Sequence, residues 1–175
     1  MKSKIIQLCQ ILLCFLLQCT VLSGISIGHI KPNLMLVLCV SMGLLRGRKC
    51  GLWTGFFSGL LTDLFFGSVF GFYALVYMYV GYLSGYAHMI YYDNDIKVPT
   101  VMTAIADLGY NAAVYALQFL LRGRLGLDRY LLRIMLPEMF YTTFFTLITY
   151  RLFRWINYRF LVSSWRESES IWVIK

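Results

Sequence analysis

The residues able to take part in acid–base or metal chemistry are few and widely separated along the chain. Asp63, Asp107 and Glu138 are carboxylates within or at the start of apolar stretches, and the two histidines are His29 and His88. Catalytic pairs and metal sites need such groups at short, recurring spacings, which these five residues lack. We therefore predict no enzyme, no metal site and no cofactor. A lipid-directed activity lost on Asp107→Asn would contradict this interpretation.

The composition indicates an integral membrane protein. Of 175 residues, 59% are hydrophobic, 17% aromatic and only 14% charged, and the mean hydropathy is +0.68. Apolar runs of the length found here are typical of membrane spans. The net charge of +8 comes largely from residues at the ends of the apolar runs. This arrangement is typical of membrane orientation and disfavours a nucleic-acid surface.

Polar side chains inside the apolar runs favour contact with protein, because lipid offers them no hydrogen-bond partner. Gln7 and Gln18 lie on one face of the first run. Asp107 is about 14 Å along its predicted helix, near the bilayer centre, and Asn111 is one turn further on the same face. Together with Glu138 they are candidates to line a small-ligand pocket. The alternative is that Asp107 and Asn111 bond only to hydroxyl groups of neighbouring helices.

Residues 51–71 carry glycine at a spacing of four, and we expect this stretch to organise the chain. Four residues advance about 400° around a helix, so the glycines share one face. Such a face lets another helix backbone approach closely, which predicts a packing or partner-binding surface. We expect Asp63 to bond to amides of the turn at residues 67–68 or to pair with Lys31. The series comprises Gly51, Gly55, Gly59, Asp63, Gly67 and Gly71, and a second pair is Gly81 and Gly85.

Six membrane spans are predicted within residues 1–158, with a cytoplasmic tail at residues 159–175. The second span is short for a hydrocarbon core of about 30 Å. The chain after residue 153 is expected to lie at the surface, partly disordered. The predicted spans are residues 5–22, 34–45, 51–66, 72–91, 98–121 and 137–153.

The distribution of lysines and arginines between the predicted spans predicts the orientation of the chain in the membrane. With a cytoplasmic N-terminus, eleven fall on the cytoplasmic side and five outside, as the positive-inside rule favours. Four of the five outer cations lie in residues 122–133, which we predict to form an interfacial amphipathic turn.

Two stretches carry a resemblance to a known family. Residues 31–85 contain a Pro-Asn opening, a G-x-x-x-G-x-x-x-G-x-x-x-D helix and a Gly-Ser-x-x-Gly turn, and RIMLPEMFYTTFFTLITYRLFRWI provides a last span. Both resemble the rod shape-determining protein MreD family over about residues 5–158. Thr142 stands where that family often has asparagine.

The resemblance implies an all-α integral membrane fold, a six-transmembrane-helix bundle similar to the substrate-binding subunits of energy-coupling-factor transporters. It also implies a non-enzymatic scaffold of the bacterial cell-elongation complex in the cytoplasmic membrane. The implied partners are the lipid bilayer, an MreC-type membrane-anchored protein and, through it, MreB filaments and the RodA–transpeptidase synthase. A homo-oligomer is also compatible with the resemblance. The alternative function is a small-molecule-binding subunit of a vitamin transporter, which a cavity with convergent polar groups would favour.

Overall fold

The computed structural model describes residues 2–24, 31–67, 69–89, 96–122 and 135–172, and all of the regular structure in these residues is helical. The all-helical class expected from the sequence is therefore the one observed. Among the described helices, none combines the length and the apolar content that crossing a bilayer requires. In chain order the elements are α1 (Lys2–Cys19), the short α2 (Val21–Gly24), α3 (Leu34–Arg46), α4 (Arg48–Phe66), α5 (Phe72–Ser84), a 3₁₀ turn (Ala87–Met89), α6 (Lys97–Arg122) and α7 (Leu136–Trp172).

Helix α3 occupies the centre of the bundle. All of its residues from Leu34 to Leu44 are buried, and it packs against α1, α4, α5, α6 and α7. The expectation that the glycine-rich stretch organises the chain is therefore wrong, since that stretch forms one wall around α3.

Neighbouring helices pair in defined directions. Gln7 of α1 bonds to Thr54 of α4, while Phe15 lies 5.0 Å from Phe65 between ring centroids, so α1 and α4 run parallel. Helices α3 and α7 also run parallel, because Asn33 contacts Thr142 at one end and Met42 contacts Asn157 at the other. Helix α5 runs antiparallel to α4.

Two helices end at places that differ from the predicted spans. Helix α5 ends at Ser84, and the Gly85 amide bonds back to the carbonyls of Gly81 and Tyr82. Helix α7 continues to Trp172, well past residue 153. Residues 154–172 contain no proline or glycine to terminate it. The predicted amphipathic turn at residues 122–133 lies almost wholly outside the described residues.

Polarity across the bundle is arranged with apolar residues outside and many polar residues inside. Exposed leucines, isoleucines and aromatic side chains occur on every long helix except α3. Fully buried polar side chains line the helix contacts. They include Thr54, Ser58, Thr103, Asp107, Thr142 and Thr146, each 0% exposed.

Candidate functional site

The glycine face of α4 packs directly against the backbone of α5. A Cβ atom added at Gly51 would overlap main-chain atoms of Gly81, and one added at Gly55 would overlap those of Tyr77. At Gly59 the overlap would be with Ala74. The three glycines are thus required for this close approach, in the way that small residues allow helix backbones to meet.

The close packing extends to α3 and to the second glycine pair. A Cβ at Gly43 of α3 would lie 2.7 Å from the carbonyl oxygen of Gly81. Gly85 lies against the backbone of Arg48 at the start of α4, where any Cβ would also overlap. Helices α3, α4 and α5 therefore meet along a common seam, which we call the glycine seam. It comprises Gly43, Gly51, Gly55, Gly59, Gly81 and Gly85.

Gly67 and Gly71 share the spacing of the glycine seam but not its location. Gly67 ends α4, with its amide donating to the main-chain carbonyl of Asp63 at 3.1 Å. Gly71 precedes α5 with φ of 92°, a left-handed conformation that favours glycine. Both residues form the connection between α4 and α5. Their spacing of four in the sequence does not continue the helix face.

The Asp63 carboxylate caps the N-terminus of α5 from the end of α4. Its Oδ1 accepts from the Tyr73 amide at 3.0 Å and its Oδ2 from the Ala74 amide at 2.8 Å. These are the second and third residues of α5, whose amides an N-cap side chain normally satisfies. Gly71 at the N-cap position has no side chain to do so. Among the described residues, the donors are thus α5 amides, and Gly67 of the turn donates instead to the main-chain carbonyl of Asp63.

The carboxylate also suits this position electrostatically. Asp63 is 3% exposed, and a helix N-terminus carries a partial positive charge that stabilises an anion. The acid that follows the glycine series therefore has an intramolecular role. The glycine seam as a whole is filled by α3 and α5 of the same chain, so it offers no open surface to a partner protein.

Asn33 joins three helices at the start of α3. Its Oδ1 accepts from the Leu36 amide at 3.1 Å, as an N-cap, and from the Tyr77 hydroxyl of α5 at 2.9 Å. Its own amide donates to the Thr142 hydroxyl of α7 at 3.2 Å. The ring of Tyr77 stacks on Tyr110 of α6, with centroids 5.4 Å apart. This set of contacts ties the central helix to three of its neighbours.

The two glutamines of α1 face other helices. The Gln7 side-chain amide donates to the Thr54 hydroxyl and, at 3.5 Å, to the Cys50 carbonyl. The Gln18 Oε1 accepts from the Met35 amide in the first turn of α3 at 3.1 Å. Hydrogen bonds of this kind hold α1 against α4 and α3.

Asp107, Asn111 and Glu138 lie together where α6 meets α7. The Asn111 side-chain amide donates to the Asp107 carbonyl at 3.1 Å and lies 3.4 Å from its Oδ2, and Asn111 also bonds to Glu138. Asp107 is fully buried, and its Oδ1 has no hydrogen-bond partner in the part of the chain that the structure describes. Within the described residues the Thr143 Oγ1 of α7 makes no hydrogen bond, so Thr143 is not a hydroxyl partner of Asp107 or Asn111.

Asn33 and His88 have structural roles that the sequence analysis does not assign to them. Asn33 was noted only as part of a helix start, although asparagine before a helix is a recognised N-cap signal. His88 bonds through Nδ1 to the Leu44 carbonyl at the end of α3. Only the fold brings His88 and Leu44 together, since they are 44 positions apart. Within the described residues, no group of three or more His, Cys, Asp or Glu is arranged to hold a metal ion.

The arrangement is that of a helical bundle built for close backbone packing. Some buried polar residues bond between helices, as Asn33 and Asp63 do, and others bond back to a carbonyl of their own helix, as Ser41 and Thr103 do. Residues 3–161 match the family model of the rod shape-determining protein MreD. The chain therefore belongs to the MreD family, a family defined by cell-shape determination and not by a catalysed reaction. No curated protein and no solved structure matches the chain. The similarity to energy-coupling-factor subunits stays a prediction.

Proposed function

We propose that the protein is a non-enzymatic scaffold of the bacterial cell-elongation complex, embedded in the cytoplasmic membrane. In this role it binds an MreC-type membrane-anchored protein and helps couple MreB filaments to peptidoglycan synthesis by the RodA–transpeptidase synthase. Membership of a shape-determining family supports the pathway. The observation that carries the scaffold role is a bundle closed internally through the glycine seam, with an apolar outer surface left for lateral contacts.

Membrane placement is supported by the outer surface. Leu16 of α1, Phe66 of α4, Leu75 of α5, Ile105 of α6 and Phe140 of α7 are each at least 55% exposed. Exposed apolar surface on several helices at once marks a membrane or protein contact. Because these side chains surround the bundle on five helices, lipid is the environment that satisfies all of them together.

The proposed orientation has the N-terminus in the cytoplasm. The contact of Asn157 with Met42, at 3.6 Å, places the later part of α7 beside the C-terminal half of α3. Arg46, Lys49 and Arg154 therefore lie toward one end of the bundle. All three belong to the set that the positive-inside rule assigns to the cytoplasm.

Partner binding is proposed for the outer faces, because the glycine seam is occupied by the chain itself. The test is site-specific photo-crosslinking in cells that contain MreC. Crosslinkers at exposed Leu12, Val101 and Phe144 sample three faces, and buried Ser58 is the control. We expect capture of the MreC-type partner from one outer face and none from Ser58. A stable, membrane-located protein with no capture at any outer position would contradict the scaffold role.

The vitamin-transporter alternative is not favoured by the described residues. A central ligand pocket would need space at the middle of the bundle, and that space holds α3, of which Met35, Leu36 and Val37 are 0% exposed. Failure of the purified protein to retain any small-molecule vitamin is the expected result.

A further inference from the structure

A groove on the outer surface of the bundle combines apolar and positively charged walls, a combination that the proposed scaffold role does not require. It lies between α1 and α4 and has a volume of about 530 Å³, within the range of about 300–1,000 Å³ typical of small-ligand sites. Its walls are largely apolar, with Leu8 and Ile11 from α1 and Trp53 and Phe57 from α4. Trp53 and Phe57 stack with centroids 5.9 Å apart and are 56% and 40% exposed.

One end of this groove is cationic. Arg46 is the last residue of α3 and Lys49 lies in the first turn of α4, and both line the groove. They are brought together because Gly47 alone separates the two helices. At the same end, the Gln7 side chain bonds to α4 and braces α1 against it.

Away from the cationic end, the walls of the groove are apolar. Trp53 and Phe57 follow Lys49 by one and two helical turns, about 6 and 12 Å along the axis. Helix α1 runs parallel to α4, and the two are again in contact through Phe15 and Phe65. The groove therefore has two positive charges at its start and apolar walls along its length.

We propose that this groove binds one anionic phospholipid, with the phosphate held by Arg46 and Lys49 and an acyl chain lying along Leu8, Trp53 and Phe57. The proposal rests on the membrane placement given above. Arginine binds phosphate oxygens through paired N–H groups, and basic residues at the cytoplasmic surface attract anionic lipids. A partner helix is the competing occupant, but two cations at one end of an otherwise apolar groove match the charged head and the apolar chain of a single anionic lipid.

The first test is native mass spectrometry of the full chain in non-ionic detergent with added phosphatidylglycerol or phosphatidylcholine. We expect the parent to bind phosphatidylglycerol at least fivefold more tightly. The Arg46→Gln/Lys49→Gln double variant should lose this preference, and Arg151→Gln/Arg159→Gln, which removes two exposed charges on α7, should keep it. Equal binding of both lipids by the parent, or an unchanged preference in the groove variant, would overturn the proposal.

A second variant pair guards against misfolding, because Arg46 also contacts Cys50. Leu8→Trp fills the groove without changing charge, while Leu12→Trp, one turn further along α1 and also exposed, leaves the groove open. We expect at least a fivefold loss of phosphatidylglycerol affinity in Leu8→Trp and none in Leu12→Trp. Equal affinities for the two variants would refute the groove as the binding site.

A separate measurement tests whether the protein lies in the membrane at all. Recovery of the protein in the aqueous fraction of cells, without detergent, would refute the placement whatever the lipid measurement shows. For a membrane-located protein, a photo-crosslinker at position 53 should capture phospholipid. Capture of a protein segment there, with no lipid, would identify the groove as a partner site and overturn the lipid proposal.

Discussion

The carboxylate of Asp63 accepts a hydrogen bond from the Ala74 amide at 2.8 Å, although the two residues lie on different helices. Gly59, one turn before Asp63, packs on the backbone of the same Ala74. The absence of a side chain at Gly59 and the presence of a carboxylate at Asp63 therefore both affect the contact with Ala74. The first allows α5 to approach α4, and the second satisfies the amides that α5 exposes at its start.

Replacing Asp63 by asparagine should destabilise the bundle. The amide side chain retains one acceptor oxygen for two backbone donors and loses the charge that interacts with the helix N-terminus, so we expect a loss of about 1–3 kcal/mol. The measurement is equilibrium unfolding in mixed micelles of non-ionic detergent and dodecyl sulfate. Arg151→Gln, which removes an exposed charge, is the control. Parental stability of Asp63→Asn would show that the cap is dispensable.

The glycine seam predicts opposite effects for the same substitution at two helical sites. Gly55→Ala places a methyl group against the Tyr77 backbone and should cost about 1–3 kcal/mol, as overpacking does. Gly109 of α6 has open space around it, so Gly109→Ala should be neutral or stabilise by up to about 1 kcal/mol. Comparable unfolding free energies for the two variants would argue against the seam.

Asn33 and Tyr77 should be energetically coupled. Asn33→Ala removes a helix cap and an acceptor, for an expected cost of about 1–2 kcal/mol, and Tyr77→Phe removes one buried hydrogen bond, for about 1 kcal/mol. Because both changes break the same contact, the double variant should be less destabilised than the sum of the two, by about 0.5 kcal/mol or more. Strict additivity in a double-mutant cycle would mean that the bond contributes nothing.

The other buried aspartate should respond differently from Asp63. Among the described residues, the Asn111 side chain lies 3.4 Å from the Asp107 Oδ2, and the Asp107 Oδ1 has no hydrogen-bond partner. Asparagine at this position keeps an acceptor and removes the cost of burying an ionisable group. We expect Asp107→Asn to be at least as stable as the parent and to retain MreC binding. Loss of cell-shape function in this stable variant would show that the carboxyl itself is required.

Local features of the sequence predicted the helical class and several helix starts. Pro32 and Asn33 precede α3 as capping residues do, and the glycine spacing of α4 marked a closely packed face because period and helix geometry coincide. The family resemblance rested on the same local motifs. These signals depend only on residues a few positions apart, and a single sequence displays them directly.

The tertiary structure alone decided which surfaces those motifs meet. The sequence could not show that α5 of the same chain fills the glycine face, that Asp63 bonds to Tyr73 and Ala74, or that α3 is central. The α1–α4 groove likewise joins Leu8 to Trp53 across 45 positions. Hydrophobic pattern and spacing specify which side of a helix is buried. The partner on that side is set by the packing of all the helices together, a many-body result with no local signature.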